Sequence, residues 1–148
     1  MKRFGYVGLV VGGVLVDQVS KWWANGSLSF VRPLVVLDPV LWLQLVYNHG
    51  AAYGLFQHQR VILIASSILI LGILLGFRSF WVESKWSAYG VSWLVSGTLG
   101  NLIDRVAHGY VIDFIYIHIF PVFNVADVMI DIGIACFLLD ILSKRVKS

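Results

Sequence analysis

The chain has 148 residues, of which 59% are hydrophobic and 13% charged, with a formal net charge of +3. So much apolar surface excludes an ordinary water-soluble globule and points to a lipid bilayer. The basic excess does not point to nucleic acid, because the cations cluster at the edges of apolar runs and form no stripe with interleaved aromatics.

Each pass through hydrocarbon needs roughly 20 residues of helix, so four spans and their loops would use the whole chain, 1–148, as one domain. The start, Met1-Lys2-Arg3 followed by apolar Phe4 to Val16, imitates a secretory signal peptide. Asp17 and Lys21 follow at once, however, and Trp22-Trp23 would crowd a cleavage site, so the segment reads as a first span. Apolar runs predict helices at about 4–24, 60–77, 86–105 and 122–142. Small residues four apart, Gly8/Gly12, Gly72/Gly76 and Ser92/Ser96/Gly100, suit close helix packing in a single bundle. Lys2, Arg3, Arg78, Lys85, Lys144, Arg145 and Lys147 fall on one side, against Lys21, Arg32, Arg60 and Arg105 on the other. The positive-inside rule then puts both termini in the cytoplasm.

Between the spans, Pro33 to Tyr47 and Tyr110 to Phe120 are rich in Val, Ile, Leu and aromatics, and predict short strands on the outer membrane surface. Trp42, Tyr47, Tyr53, Tyr110 and Tyr116 suit that interface. Cys136, the single cysteine, sits in an apolar run and reads as packing, which rules out a disulfide or a zinc cluster built on cysteines. His49, His58, His108 and His118 lack metal-ligand spacing, so neither metal nor cofactor is expected.

Ionisable residues in or beside apolar spans each cost roughly 2.5 to 3.5 kcal/mol at mid-membrane, and so each needs a reason. Asp17 and Lys21 are spaced as a helical ion pair, acid first, which is either structural or turned to a substrate. Asn101 and Arg105 share a helix face with Asp104 close by, and Arg105 could hold a carbonyl or a phosphate, or snorkel outward. Asn124 and Asp127 fit the start of a helix, with Asn124 as N-cap. A cap is worth about 1 kcal/mol and Asn124 supplies it uncharged. Capping also leaves unexplained Asp113, an acid among the apolar neighbours of VIDFIY. If the loop folds back so that Asp113 and Asp127 meet, repulsion and desolvation make the pair share a proton, as an aspartic protease requires. Proton relays and structural ion pairs use the same residue types, and a small proton-coupled transporter is the alternative, although no internal repeat is visible.

Four polar motifs, VDQVSKWW, YNHGAAYGLF, SGTLGNLIDRVAHGYVIDF and FNVAD, stand in this order over residues 14 to 133. In them the chain resembles the bacterial lipoprotein signal peptidases, also called signal peptidase II. The resemblance implies a membrane all-α fold: a four-transmembrane-helix bundle with a small extracytoplasmic β-sheet cradle and a short interfacial helix. It implies a monomer in the bacterial inner membrane, in contact with membrane lipid. Its activity would be that of an aspartic endopeptidase removing the signal peptide from diacylglyceryl-modified prolipoproteins, cutting before the lipidated cysteine. Asp113 and Asp127 then match the catalytic dyad, while Asn48, Gly50, Asn101, Arg105 and Asn124 match the substrate pocket. Asp17, Lys21 and Asp104 match its support. Two positions depart from the pattern: Ser96 stands in place of a glycine, and Asp131 adds a carboxylate that either joins the dyad's face or turns to a cavity or to Lys21.

Overall fold

The computed structural model describes residues 3–51, 55–76 and 84–145. In chain order these form α1 (Arg3–Ser27), β1 (Leu34–Leu37), β2 (Leu41–Asn48), α2 (Arg60–Gly76), α3 (Lys85–Ala107), β3 (Val111–Ile117) and α4 (Val125–Arg145). Lys2, Arg78 and Lys147 of the orienting cations, Tyr53 of the interfacial aromatics and Phe77 at a span end lie outside the described residues.

All four helices fall where the apolar runs place them, and the differences are at their ends. α3 continues to Ala107, two residues beyond the expected end, and carries Asp104 and Arg105 in its last turn. Arg60 stabilises that end, donating from Nε to the Arg105 carbonyl at 2.9 Å and from Nη2 to the Val106 carbonyl at 2.8 Å. These are carbonyls that a helix end leaves without partners. Gly109, at φ 86, then turns the chain into β3, a backbone geometry that a Cβ disfavours. α4 starts at Val125, later than expected, because Phe123 is pinned to the sheet by reciprocal backbone bonds with Ile115. Asn124 caps α4: its Oδ1 accepts from the Asp127 amide at 3.0 Å, while Asp127 Oδ2 accepts from the Asn124 amide at 3.1 Å.

The two predicted strand regions pair as one antiparallel sheet of order β1-β2-β3. Val46 opposes Asp113 and Asn48 opposes Val111, so Asn48 and Asp113 are diagonal neighbours on one face. Tyr47 and Tyr110 stack with ring centroids 4.1 Å apart, and Trp42 leans on Tyr116 at 5.6 Å. Between β2 and α2, residues 55–58 form a turn and 52–54 lie outside the description, and no short interfacial helix occurs among the described residues.

α3 is the central helix and packs against α1, α2 and α4. Leu71, Leu74, Val91 and Val95 form its apolar contact with α2. The close helix approaches are not where the glycine pairs place them: a Cβ at Gly8, Gly12, Gly72 or Gly76 meets nothing within 4 Å. Spacing by four identifies a stripe but not what the stripe faces. The tight positions are Gly13 against Ser96, Gly90 against Gly133, Gly97 against the Ala126 carbonyl and Gly100 against the Asp17 carboxylate. The Ser96/Gly100 part of the third series therefore does pack, and Ser96 Oγ also donates to the Val10 carbonyl at 3.3 Å.

The burial pattern is inverted relative to a soluble protein. Asp17, Lys21, Asp104, Asp113 and Asn124 are buried, while Val7, Val11 and Val19 of α1, Val61 and Leu69 of α2, and Leu138 and Ile141 of α4 are exposed. Among the described residues no helix is both long and apolar enough to cross a membrane. α2 carries no charge after Arg60 but has 17 residues; α1 is diluted by Asp17, Lys21 and its glycines, α3, uncharged from Trp86 to Ile103, by its serines, glycines and Asn101, and α4 by Asp127, Asp131 and Asp140.

Candidate active site

The site forms where β2 and β3 lie against the last turns of α3 and the first turn of α4. Asp113 extends from β3 and is 2% exposed, whereas Asp127, in the first turn of α4, is half-buried. Two side-chain amides join them. Asn124 Nδ2 donates to Asp113 Oδ1 at 2.6 Å and to Asn101 Oδ1 at 3.1 Å, and Asn101 Nδ2 donates to Asp127 Oδ1 at 2.8 Å. Asn48 Nδ2 reaches Asp113 Oδ2 at 2.9 Å. The fold thus brings together the two acids that the sequence separates by a strand, a loop and a helix cap.

Burial is the main force on the Asp113 carboxyl and pushes it up from 3.8 to about 7, with the neighbouring Asp127 charge acting in the same direction. The amides of Asn48 and Asn124 and the charge of Lys21 oppose this without reversing it. A carboxyl in that range exchanges its proton near neutral pH, as general acid-base chemistry needs.

Behind the two acids lies a buried charge cluster. Lys21 Nζ bonds Asp17 Oδ2 at 2.9 Å, Asp104 Oδ2 at 3.1 Å and Asn101 Oδ1 at 2.9 Å. The expected Asp17–Lys21 pair is therefore present, and Asp104 joins it from α3. Gln18 ties the same two acids together, donating to Asp17 Oδ2 at 3.2 Å and Asp104 Oδ1 at 3.0 Å. Gln18 was not among the expected site residues; its only signal was an amide inside the VDQVSKWW motif.

In front lies a cavity of about 650 Å³, lined by Asn48, Asn101, Arg105, Asp113, Asp127 and Asp131 and by apolar Val46, Ile117, Phe120 and Ile130. Arg105 Nη2 donates to the Gly50 carbonyl at 3.0 Å, and the Gly50 amide donates to Asn48 Oδ1 at 2.9 Å. Gly50 thus links the sheet to α3 and is itself buried. Arg105 Nε is buried with no partner among the described residues. Asn124, expected in the pocket lining, is fully buried behind it as the bridge between the acids. Asp131 is exposed on the cavity wall and away from Lys21, whose three donors are engaged elsewhere. Among the described residues no group of three His, Cys, Asp or Glu is placed to hold a metal ion.

A four-helix frame that delivers two carboxyls to one cavity fits the class of helical aspartic peptidases. The family model of signal peptidase (SPase) II matches residues 9–143. The lipoprotein signal peptidase of Clostridium novyi (strain NT) is 36% identical over 140 residues, covering 88% of this chain and 95% of that protein. That of Parasynechococcus marenigrum (strain WH8102) is 39% identical over 147 residues, covering 97% and 91%. A solved bacterial membrane enzyme, obtained by the in meso method at 2.3 Å resolution, superposes with a TM-score of 0.90 at 29% identity, covering 99% of this chain and 92% of the other. The chain belongs to the signal peptidase II family. The proton-coupled transporter finds no support among these relatives.

Proposed function

We propose that this peptidase removes the signal peptide from diacylglyceryl-modified prolipoproteins in the bacterial inner membrane, cutting before the lipidated cysteine, with Asp113 and Asp127 as its catalytic dyad. The observation that carries this reading is the amide bridge, in which Asn101 and Asn124 hold the two carboxyls at one cavity. We assign the shared proton to Asp113, the more deeply buried of the two acids, whose carboxyl burial pushes up to about 7. Asp127, the less buried of the two, is the carboxylate in this assignment.

The reaction balances with these two groups. Asp127 takes a proton from water as the water oxygen bonds to the scissile carbonyl carbon, and Asp113 gives its proton to the carbonyl oxygen. On collapse of the resulting diol, the proton on Asp127 passes to the leaving nitrogen, the C–N bond breaks, and a diol hydroxyl returns a proton to Asp113. The starting protonation state is restored without any cofactor. Arg105 Nε, a buried donor without a partner among the described residues, receives a substrate carbonyl or headgroup oxygen.

All four helices span the bilayer in this reading, with both termini in the cytoplasm. Two contacts support an alternating bundle: Ser84 meets Asp140 at one end, and Arg60 meets the end of α3 at the other. Asp17, Lys21 and Asp104 are buried and paired inside the bundle, while the outer faces of the helices present apolar side chains toward lipid. One copy of the chain supplies every site residue, which fits a monomer.

The test is cleavage of a diacylglyceryl prolipoprotein against the same precursor without lipid, using the purified protein in lipid bicelles. The lipidated precursor is expected to yield a product beginning at the modified cysteine, and the unlipidated one to be cut far more slowly. Equal rates would reject the lipid specificity, and no cleavage of either would reject the peptidase.

A further inference from the structure

We infer that Lys21 is a positioning residue that sets both the spacing and the amide orientation of the Asp113–Asp127 pair. The inference rests on the reading of those two acids as the catalytic dyad.

Spacing comes through the backbone. Asp17 Oδ1 accepts from the amide of Ala126 at 2.8 Å, and Ala126 immediately precedes Asp127. Asp104 Oδ2 accepts from the amide of Ile112 at 3.0 Å, and Ile112 immediately precedes Asp113. Each supporting acid therefore grips the chain one residue before one dyad member. Lys21 ties the two grips together, at 2.9 Å and 3.1 Å, from a site only 1% exposed. Without the ammonium, two buried carboxylates would face each other with Gln18 as their common neutral bridge, and they would move apart.

Orientation comes through the third donor of the same ammonium. An ammonium has no acceptor, so the Asn101 atom facing Lys21 must be the oxygen. That choice points Asn101 Nδ2 at Asp127. The Asp127 backbone amide likewise requires the oxygen of Asn124, which points Asn124 Nδ2 at Asp113 and at Asn101. Turning either amide over would set donor against donor. Lys21 thus fixes the Asn101 amide, which donates to Asp127 and accepts from the Asn124 amide that holds Asp113, although it touches neither acid.

Its charge also reaches the dyad. The charged groups around Asp113 are Asp127 from α4, Lys21 from α1 and Arg105 from α3, with Asp104 behind Ile112. Of these, the cations Lys21 and Arg105 favour the ionised form of Asp113.

The test compares Lys21→Met and Lys21→Arg with wild type and with Asp127→Asn, all on a lipidated precursor and with folding checked by thermal unfolding. Lys21→Met is expected to lower kcat by about 10²-fold, the cost of a misplacement of roughly 1 Å, with KM within about threefold. The alkaline limb of its pH profile should move to higher pH, because Asp113 loses a cation that favours ionisation. Lys21→Arg keeps the charge but offers a planar fork to three acceptors, so kcat should fall while the limb stays in place. If Lys21→Met does not fold, Lys21→Arg carries the test. Wild-type kcat in either folded variant, or an unmoved limb in Lys21→Met, would overturn the inference. Retained cleavage by Asp127→Asn would instead overturn the dyad on which it rests.

Discussion

Asp113 combines a short side chain, near-complete burial and a facing acid, and its behaviour with pH follows. Its carboxyl stands at about 7 in the fold against 3.8 in a free chain, so the folded protein keeps a proton that the unfolded chain has released. The associated stability is full below the unfolded value and is lost as pH rises through about 7. Thermal unfolding of the detergent-solubilised protein should therefore occur at lower temperature at about pH 8.5 than at about pH 5. Asp113→Asn, neutral throughout and similar in shape, should narrow that difference, and an equally large difference in the variant would assign it to other groups. Asp113 was legible in the sequence because an acid inside VIDFIY has no bland explanation. The bridging role of Asn124 was not, since an amide at a helix start reads as a cap. It is a cap, through Oδ1, and only the folded contacts reveal that its Nδ2 also holds Asp113.

At the level of elements, hydrophobic period and length were enough to place four helices and two strand-forming regions. The ends were less legible, because tertiary contacts set them: Arg60 extends the stabilised end of α3, and Phe123, bound to β3, delays α4. Glycine spacing was the weakest guide. It singled out Gly8 and Gly12, which have open space beside them, and missed Gly97, where the backbone of α4 crosses α3. Opposite outcomes follow for the same substitution. Gly97→Ala should destabilise by about 1–3 kcal/mol, since the Ala126 carbonyl cannot move aside like a flexible side chain. It should also reduce cleavage, because the displaced turn carries Asp127. Gly12→Ala should leave the unfolding temperature unchanged or raise it slightly, as alanine favours helix by about 1 kcal/mol. Thermal unfolding of the two variants side by side reads the difference, and equal loss would contradict the packing described.

Across the whole molecule, the polar interior and apolar exterior are one design. Among the described residues the buried charges outside the dyad are paired, either in the Asp17–Lys21–Asp104 cluster behind it or in Asp140 with Lys144 toward the far end. Under the proposed function, the apolar outside lets a lipid-bearing substrate arrive sideways, with its acyl chains in the bilayer and its peptide in the cavity. Family and chemistry were legible from four polar motifs because such residues have few other reasons to recur in an apolar chain. The supporting geometry was not, because it depends on which backbone amide each acid grips. The most direct measurement is cleavage of a diacylglyceryl prolipoprotein by Asp113→Asn and Asp127→Asn protein, each shown to be folded by its thermal transition. Both variants should lose about 10²- to 10⁴-fold or more in rate, the worth of a positioned acid or base. Wild-type cleavage by either folded variant would contradict the two-carboxyl site.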